Sequence, residues 1–173
     1  IVACLMILSS ACMAQDAIKK PAATIDVQPK LRSELSSLEP YLGTWVLETR
    51  MKDGQPLWLK KQYKAGMDGN YVIVETFAKN EDGKEYQQAH TVWRCDKGNG
   101  KVIAYHFKND GGYERGGLSA STNKDGKPVV TSVWSRGNSP VAVAQTTEFI
   151  DEKSYRWKVS TSATKENPIM EGV

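Results

Sequence analysis

The chain has 173 residues, 40% hydrophobic and 25% charged, which describes a globular chain with enough apolar material for one core. Its 23 Lys and Arg stand against 20 Asp and Glu, a formal charge of +3 spread along the sequence. So weak a field selects neither nucleic acid nor an anionic membrane, and polyanion binding is set aside.

The opening segment, IVACLMILSSACMAQDA, carries no charge before Asp16 and runs apolar from Ile1 to Leu8 before small residues take over. It reads as the tail of a secretory signal peptide over residues 1–14, cleaved after Ala14, with Cys12 and Ala14 as the small residues. The run is shorter than the roughly 20 apolar residues that span a bilayer. Because Ile1 is preceded by neither Met nor a basic region, the upstream end of the peptide is expected to be missing. The expected destination is the periplasm or the outside of the cell. A lipid anchor on Cys12 is the alternative, ranked second because Ser9 stands where an aliphatic residue is expected. Of Cys4, Cys12 and Cys95, only Cys95 then belongs with certainty to the mature chain, so no internal disulfide is expected. With no base near it in sequence, Cys95 reads as a packed, inert thiol.

Residues 15–29 mix Ala, Lys, Thr and Pro without period and read as a flexible leader to a domain over residues 30–173. Leu31, Leu35, Leu38 and Leu42 then recur at spacings of four, three and four, which predicts one amphipathic helix of two to three turns, with Pro29 in its first turn and Pro40 at its end. So short a helix is marginal alone, and its leucine stripe needs the end of a sheet to lie on. From Gly43 the pattern changes to short segments rich in Val, Ile, Thr, Tyr and Trp. Turn signals separate them at Asp53–Gly54, Asp68–Gly69, Asp82–Gly83, Gly98–Gly100, Asp110–Gly112, Asp125–Gly126 and Gly137–Asn138.

Nine or ten strands in series with local connections predict an all-β, antiparallel up-and-down β-barrel preceded by one short helix. Closure removes the exposed edges of an open sheet. A β-sandwich is the alternative, disfavoured because sandwiches usually need a long Greek-key return. The chain stops at Glu171, Gly172 and Val173, where a last strand begins, so a truncated C-terminus is expected.

A helix followed by LEPYLGTWVLE, with Gly43 and Trp45, resembles the Gly-x-Trp opening of the lipocalin and calycin superfamily. It is similar above all to small exported bacterial lipocalin-like barrels of uncharacterised function, whose middle hairpin VWRCD, KGNG, KVIAYHF followed by Asp110, Gly111 and Gly112 resembles. The resemblance covers about residues 31 to 173 and implies a barrel whose lower end is closed by Trp45. It is also similar to nitrobindin-like haem barrels, which hold haem through a His near the C-terminal end. Here the histidines are His90 and His106, in mid-chain, so haem is not carried over and no cofactor is expected.

Strand alternation suggests what lines a pocket. Tyr155, Trp157 and Val159 share a core face, as do Trp45 and Leu47. If Asp96 pairs with Lys101, then Trp93 lies across from Ala104 and Thr91 across from His106, placing Trp93, Thr91 and His106 on one face and Val92, Arg94, Tyr105 and Phe107 on the other. Both faces are mixed, and alternation does not decide which is inward. Glu75 shares a face with Tyr71, Ile73 and Phe77, either inside a cavity, where it would need Arg94, Arg115 or Arg136 as partner, or on a solvent-facing aromatic strip. Lys60, Lys61 and Lys64 read as solvated surface. The candidate pocket-lining residues are therefore Trp45, Glu75, Trp93, His106, Trp134 and Trp157, each weighed against the plainer reading of a packed core or strand residue.

No Gly-x-Ser-x-Gly elbow, His-x-x-x-His pair or other catalytic or metal spacing is present, so an enzyme ranks third. The first expectation is an exported binding or carrier barrel for a small hydrophobic or aromatic ligand. The second is a structural or protein-interaction domain whose barrel is filled.

Overall fold

The computed structural model describes residues 18–19, 29–50, 56–135, 142–161 and 170–172. The expected signal peptide and the turns at Asp53–Gly54 and Gly137–Asn138 lie outside them. In chain order the elements are β1 (Ile18–Lys19), the 3₁₀ helix η1 (Ser33–Tyr41), β2 (Gly43–Arg50), β3 (Pro56–Gly66), β4 (Tyr71–Lys79) and β5 (Glu85–Cys95). There follow β6 (Val102–Lys108), β7 (Tyr113–Thr122), β8 (Pro128–Ser135), β9 (Ala142–Phe149), β10 (Ser154–Thr161) and β11 (Met170–Gly172).

One continuous sheet carries all the strands, so the sandwich alternative does not form. The nine long strands, β2 to β10, lie in sequence order, each antiparallel to the next, and the sheet curls into a half-barrel. The two-residue β1 falls in the stretch read as a leader. It pairs with both β2 and β10, at Lys19 opposite Val46 and Ile18 opposite Tyr155, and so bridges the two ends of the curl. Short turns hold the meander in register. The glycines at five predicted turns, Gly69, Gly83, Gly100, Gly111 and Gly126, have φ between 69° and 81°, the region that costs a residue with a Cβ. In the β5–β6 turn the Asp96 N–H donates to the Lys101 carbonyl at 2.8 Å, the pairing on which the hairpin register was built. Thr91 faces His106 and Trp93 faces Ala104 as expected.

The helix forms where the leucine stripe predicts it but with a tighter winding. Its buried residues are Leu35, Leu38 and Tyr41, three apart, as three residues per turn demand. Tyr41 therefore takes the inward place that a 3.6-residue period assigns to Leu42. Pro29 lies before the helix, and Pro40 lies inside its last turn. The Leu35, Leu38 and Tyr41 side chains, 1–2% exposed, stop one end of the half-barrel. Tyr41 is the hub of that plug: its ring lies 5.3 Å from Tyr63, 5.7 Å from Trp93, 4.7 Å from Phe149 and 6.2 Å from Tyr155. Trp45 completes it, 1% exposed, its indole N–H donating to the Tyr41 carbonyl at 2.7 Å. No helix among the described residues is long and apolar enough to cross a membrane.

Candidate functional site

Above the aromatic plug the inner faces of β3 to β9 do not meet. On β4 the alternation is strict, with Val72, Val74, Thr76 and Ala78 buried and Tyr71, Ile73, Glu75 and Phe77 half-buried on the outside. The same inward register runs through Thr91 and Trp93 of β5, His106 of β6, Glu114 of β7, Ser132 and Trp134 of β8, and Gln145 and Thr147 of β9. With Tyr41, Lys61 and Tyr63 these residues surround a cavity of about 190 Å³. At about 30 Å³ per water in the liquid, that is room for roughly six waters. Gly116 helps to shape the wall: a Cβ there would lie 2.8 Å from the ring of Trp134, so the indole lies over the bare backbone of its cross-strand partner.

Much of this wall is polar and bonded to itself. Thr91 Oγ1 and His106 Nδ1 share a hydrogen bond of 2.7 Å. The Trp134 indole donates to Ser132 Oγ at 3.1 Å, and Ser132 Oγ donates to the Gln145 carbonyl at 3.4 Å. The Tyr41 hydroxyl bonds Thr147, and the Tyr63 and Tyr155 hydroxyls bond each other. Burial pushes all three tyrosines well above the usual phenol range, so they remain neutral donors. Burial also lowers the His106 pKa; Glu114 opposes that shift, while Lys61 and Lys108 add to it. The histidine is accordingly a neutral imidazole at physiological pH. Glu114 is paired with Lys108 at 2.8 Å.

Lys61 is the ionisable group of this wall that the protein leaves uncompensated. It alternates inward with Leu57, Leu59 and Tyr63, while Lys60 and Lys64 point outward and pair with Glu85 and Glu75. The reading of all three lysines as solvated surface is thus corrected for Lys61. Desolvation lowers its pKa to about 8, with no carboxylate offsetting the shift. Between that value and the ordinary 10.5 the unfolded chain holds more protons than the folded one, so this group lowers stability fully below pH 8 and ceases to do so as pH rises toward 10.5. Lys61→Met is therefore expected to raise stability at pH 7 by about 1–2 kcal/mol, less than the full shift because the half-buried side chain keeps some water. Urea unfolding of both proteins from pH 7 to 9.5 checks it: the gap must narrow as pH rises, and a gap independent of pH would refute the charge origin.

Of the six residues expected to line a pocket, the fold brings Trp93, His106 and Trp134 to the cavity wall. Trp45 and Trp157 are buried core, 1% and 9% exposed, and the wall does not include them. Glu75 takes the outward of its two readings. Its carboxylate pairs with Lys64 at 3.2 Å on the outer face; of the three arginines considered, Arg136 lies outside the described residues. Sequence reasoning missed Tyr41, Lys61 and Glu114. The repeat of three along η1 and the alternation of β3 were the signals for the first two. Among the described residues no group of three or more His, Cys, Asp or Glu is placed to hold a metal ion.

No family model, curated protein or solved structure matches the chain. What fold and site together define is an all-β, up-and-down antiparallel half-barrel, compatible with a lipocalin-like fold, plugged by a 3₁₀ helix and holding a partly open cavity whose wall mixes polar and apolar groups.

Proposed function

We propose that this protein is an exported small-molecule binding or carrier barrel of the lipocalin-like, calycin kind. The observation that carries the reading is the cavity itself. A domain that acted only through its surface would be served by a filled core, because each unfilled volume forfeits packing energy. Here seven strands, β3 to β9, and the plug surround a partly open cavity of about 190 Å³. Typical ligand pockets run from about 300 to 1,000 Å³. The ligand is accordingly smaller than a drug-sized molecule, a haem or a long acyl chain. The wall joins aromatic surfaces to polar groups, so the ligand is ring-sized and carries polar atoms; a wholly apolar one would strand the hydroxyls and amides around it. The apolar segment at the N-terminus supports export to the periplasm or beyond.

The test is native mass spectrometry of the protein from its own host, followed by a thermal-shift and NMR screen of ring-sized compounds. A retained small molecule, or compounds that move the His106 and Trp93 resonances together, supports the reading. A clean apo mass with no compound perturbing the cavity residues overturns it in favour of a barrel that works by its surface.

A further inference from the structure

Along the inner face of β3 stand Leu57, Leu59, Lys61, Tyr63 and Ala65, four uncharged groups and one ammonium. Lys61 has Trp45 and Thr76 as its cross-strand partners, both buried. Charges in such surroundings are normally paired or hydrogen-bonded, because desolvation of an isolated ion costs several kcal/mol. Here the rest of the cavity's charge is settled within the wall: Glu114 is held by Lys108, and His106 is neutral and bonded to Thr91. Lys61 makes no hydrogen bond or ion pair with the described residues, whereas its neighbours Lys60 and Lys64 each hold a carboxylate. Across the same cavity Trp93 keeps an indole N–H that is buried and without a partner. The site therefore presents one cation and one spare donor, and its one carboxylate is already taken.

Size narrows the complement. A cavity of about 150 Å³ takes up benzene, so the ~40 Å³ beyond that leaves room for one small substituent on a single ring. A single ammonium balances a single negative charge.

We propose that the cavity binds a small aromatic or heteroaromatic carboxylate, with Lys61 receiving the carboxylate and the ring lying among Tyr41, Trp93 and Trp134. The inference rests on the ligand-binding reading above and adds charge and size to it. Because the empty site holds Lys61 with a pKa of about 8, affinity for an anion is level below that pH and falls above it. The bound carboxylate favours the charged amine and raises its pKa in the complex, so the fall that begins near pH 8 continues until the bound amine also loses its proton.

The test titrates the full chain with sodium benzoate and with neutral benzamide, which has nearly the same shape, at pH 7 and pH 9.5. It is repeated in Lys61→Met and in Lys64→Met, which removes the same charge from the outer face. Benzoate is expected to bind at least tenfold tighter than benzamide at pH 7, a preference that shrinks at pH 9.5, vanishes in Lys61→Met and survives in Lys64→Met. Equal binding of the two compounds, or a preference that outlives Lys61, overturns the charge assignment while leaving a barrel that binds ring-sized molecules. Silence from both compounds overturns the inference outright, and the retained-mass experiment then judges the broader reading separately. Should the methionine variant fail to fold, the benzoate-to-benzamide ratio and its pH dependence in the unaltered protein decide the matter.

Discussion

Trp45→Ala is expected to cost about 3–5 kcal/mol of folding stability, the range for truncating a buried aromatic side chain in a core that cannot fully collapse. Its ring is 1% exposed and packs against Tyr155 at 4.7 Å and Phe149 at 5.9 Å. Its N–H also satisfies the carbonyl at the end of η1, so the truncation strands a buried acceptor as well, at roughly 1 kcal/mol or more. Against a usual net stability of about 5–15 kcal/mol, that brings the domain close to unfolding. Trp58→Ala is the matched control. Trp58 lies half-buried on the outer face, where the ammonium groups of Lys79 and Lys60 stand 4.3 Å and 5.8 Å from its ring centroid. Loss of those contacts and of part of its packing is expected to cost about 1 kcal/mol. Urea midpoints of the two variants check the contrast. Similar losses would mean that Trp45 does not close the barrel end as its burial implies.

The fold was legible because strand alternation and turn chemistry are local. Asp and Gly at the turns, and one assumed pairing of Asp96 with Lys101, sufficed to place Trp93, Thr91 and His106 on one face. Which face was inward could not be read, and the cavity explains why. Hydrophobicity marks an inner face only where the interior is dry and filled; here the wall carries Thr76, Thr91, His106, Glu114 and Ser132, so it looks like a solvent face in sequence. Lys61 was hidden by its neighbour. Read as a cluster, Lys60 and Lys61 suggest surface, yet adjacent residues of one strand must point to opposite sides, so the pair itself required one of them to face inward. Glu75 was ambiguous for the converse reason, sharing its outward face with Tyr71, Ile73 and Phe77. The turn between β9 and β10 went unseen because no glycine marks it. There the Asp151 carboxylate accepts the Lys153 N–H at 2.7 Å, building the turn from a side chain.

A second large effect is expected where the plug is fastened. Gly69, in the β3–β4 turn, follows Met67 and Asp68, and all three have positive φ, at 48°, 54° and 79° in chain order. Its carbonyl accepts the Arg32 N–H at 3.1 Å, tying the segment before η1 to the sheet. A Cβ on Gly69 would lie 2.1 Å from the Lys30 carbonyl oxygen and 3.1 Å from the Leu31 Cα, both main-chain atoms that no rotamer change can clear. Gly69→Ala thus adds the left-handed strain of a non-glycine residue, roughly 1–2 kcal/mol, to the lifting of Leu31, whose burial is worth roughly 1.5–3 kcal/mol. The sum is expected to fall near 3 kcal/mol, with amide exchange quickening through η1 before the strands. Gly126→Ala separates the two causes: φ is 73° there, but nothing lies within 4 Å of the new methyl, so only the strain remains. Equal losses at the two positions would show that the turn does not hold the helix. A larger loss at Gly69, with exposure of Leu35 and Leu38, would show that the plug covering the cavity is held from this turn, and that Tyr41 reaches the cavity wall only while that fastening is intact.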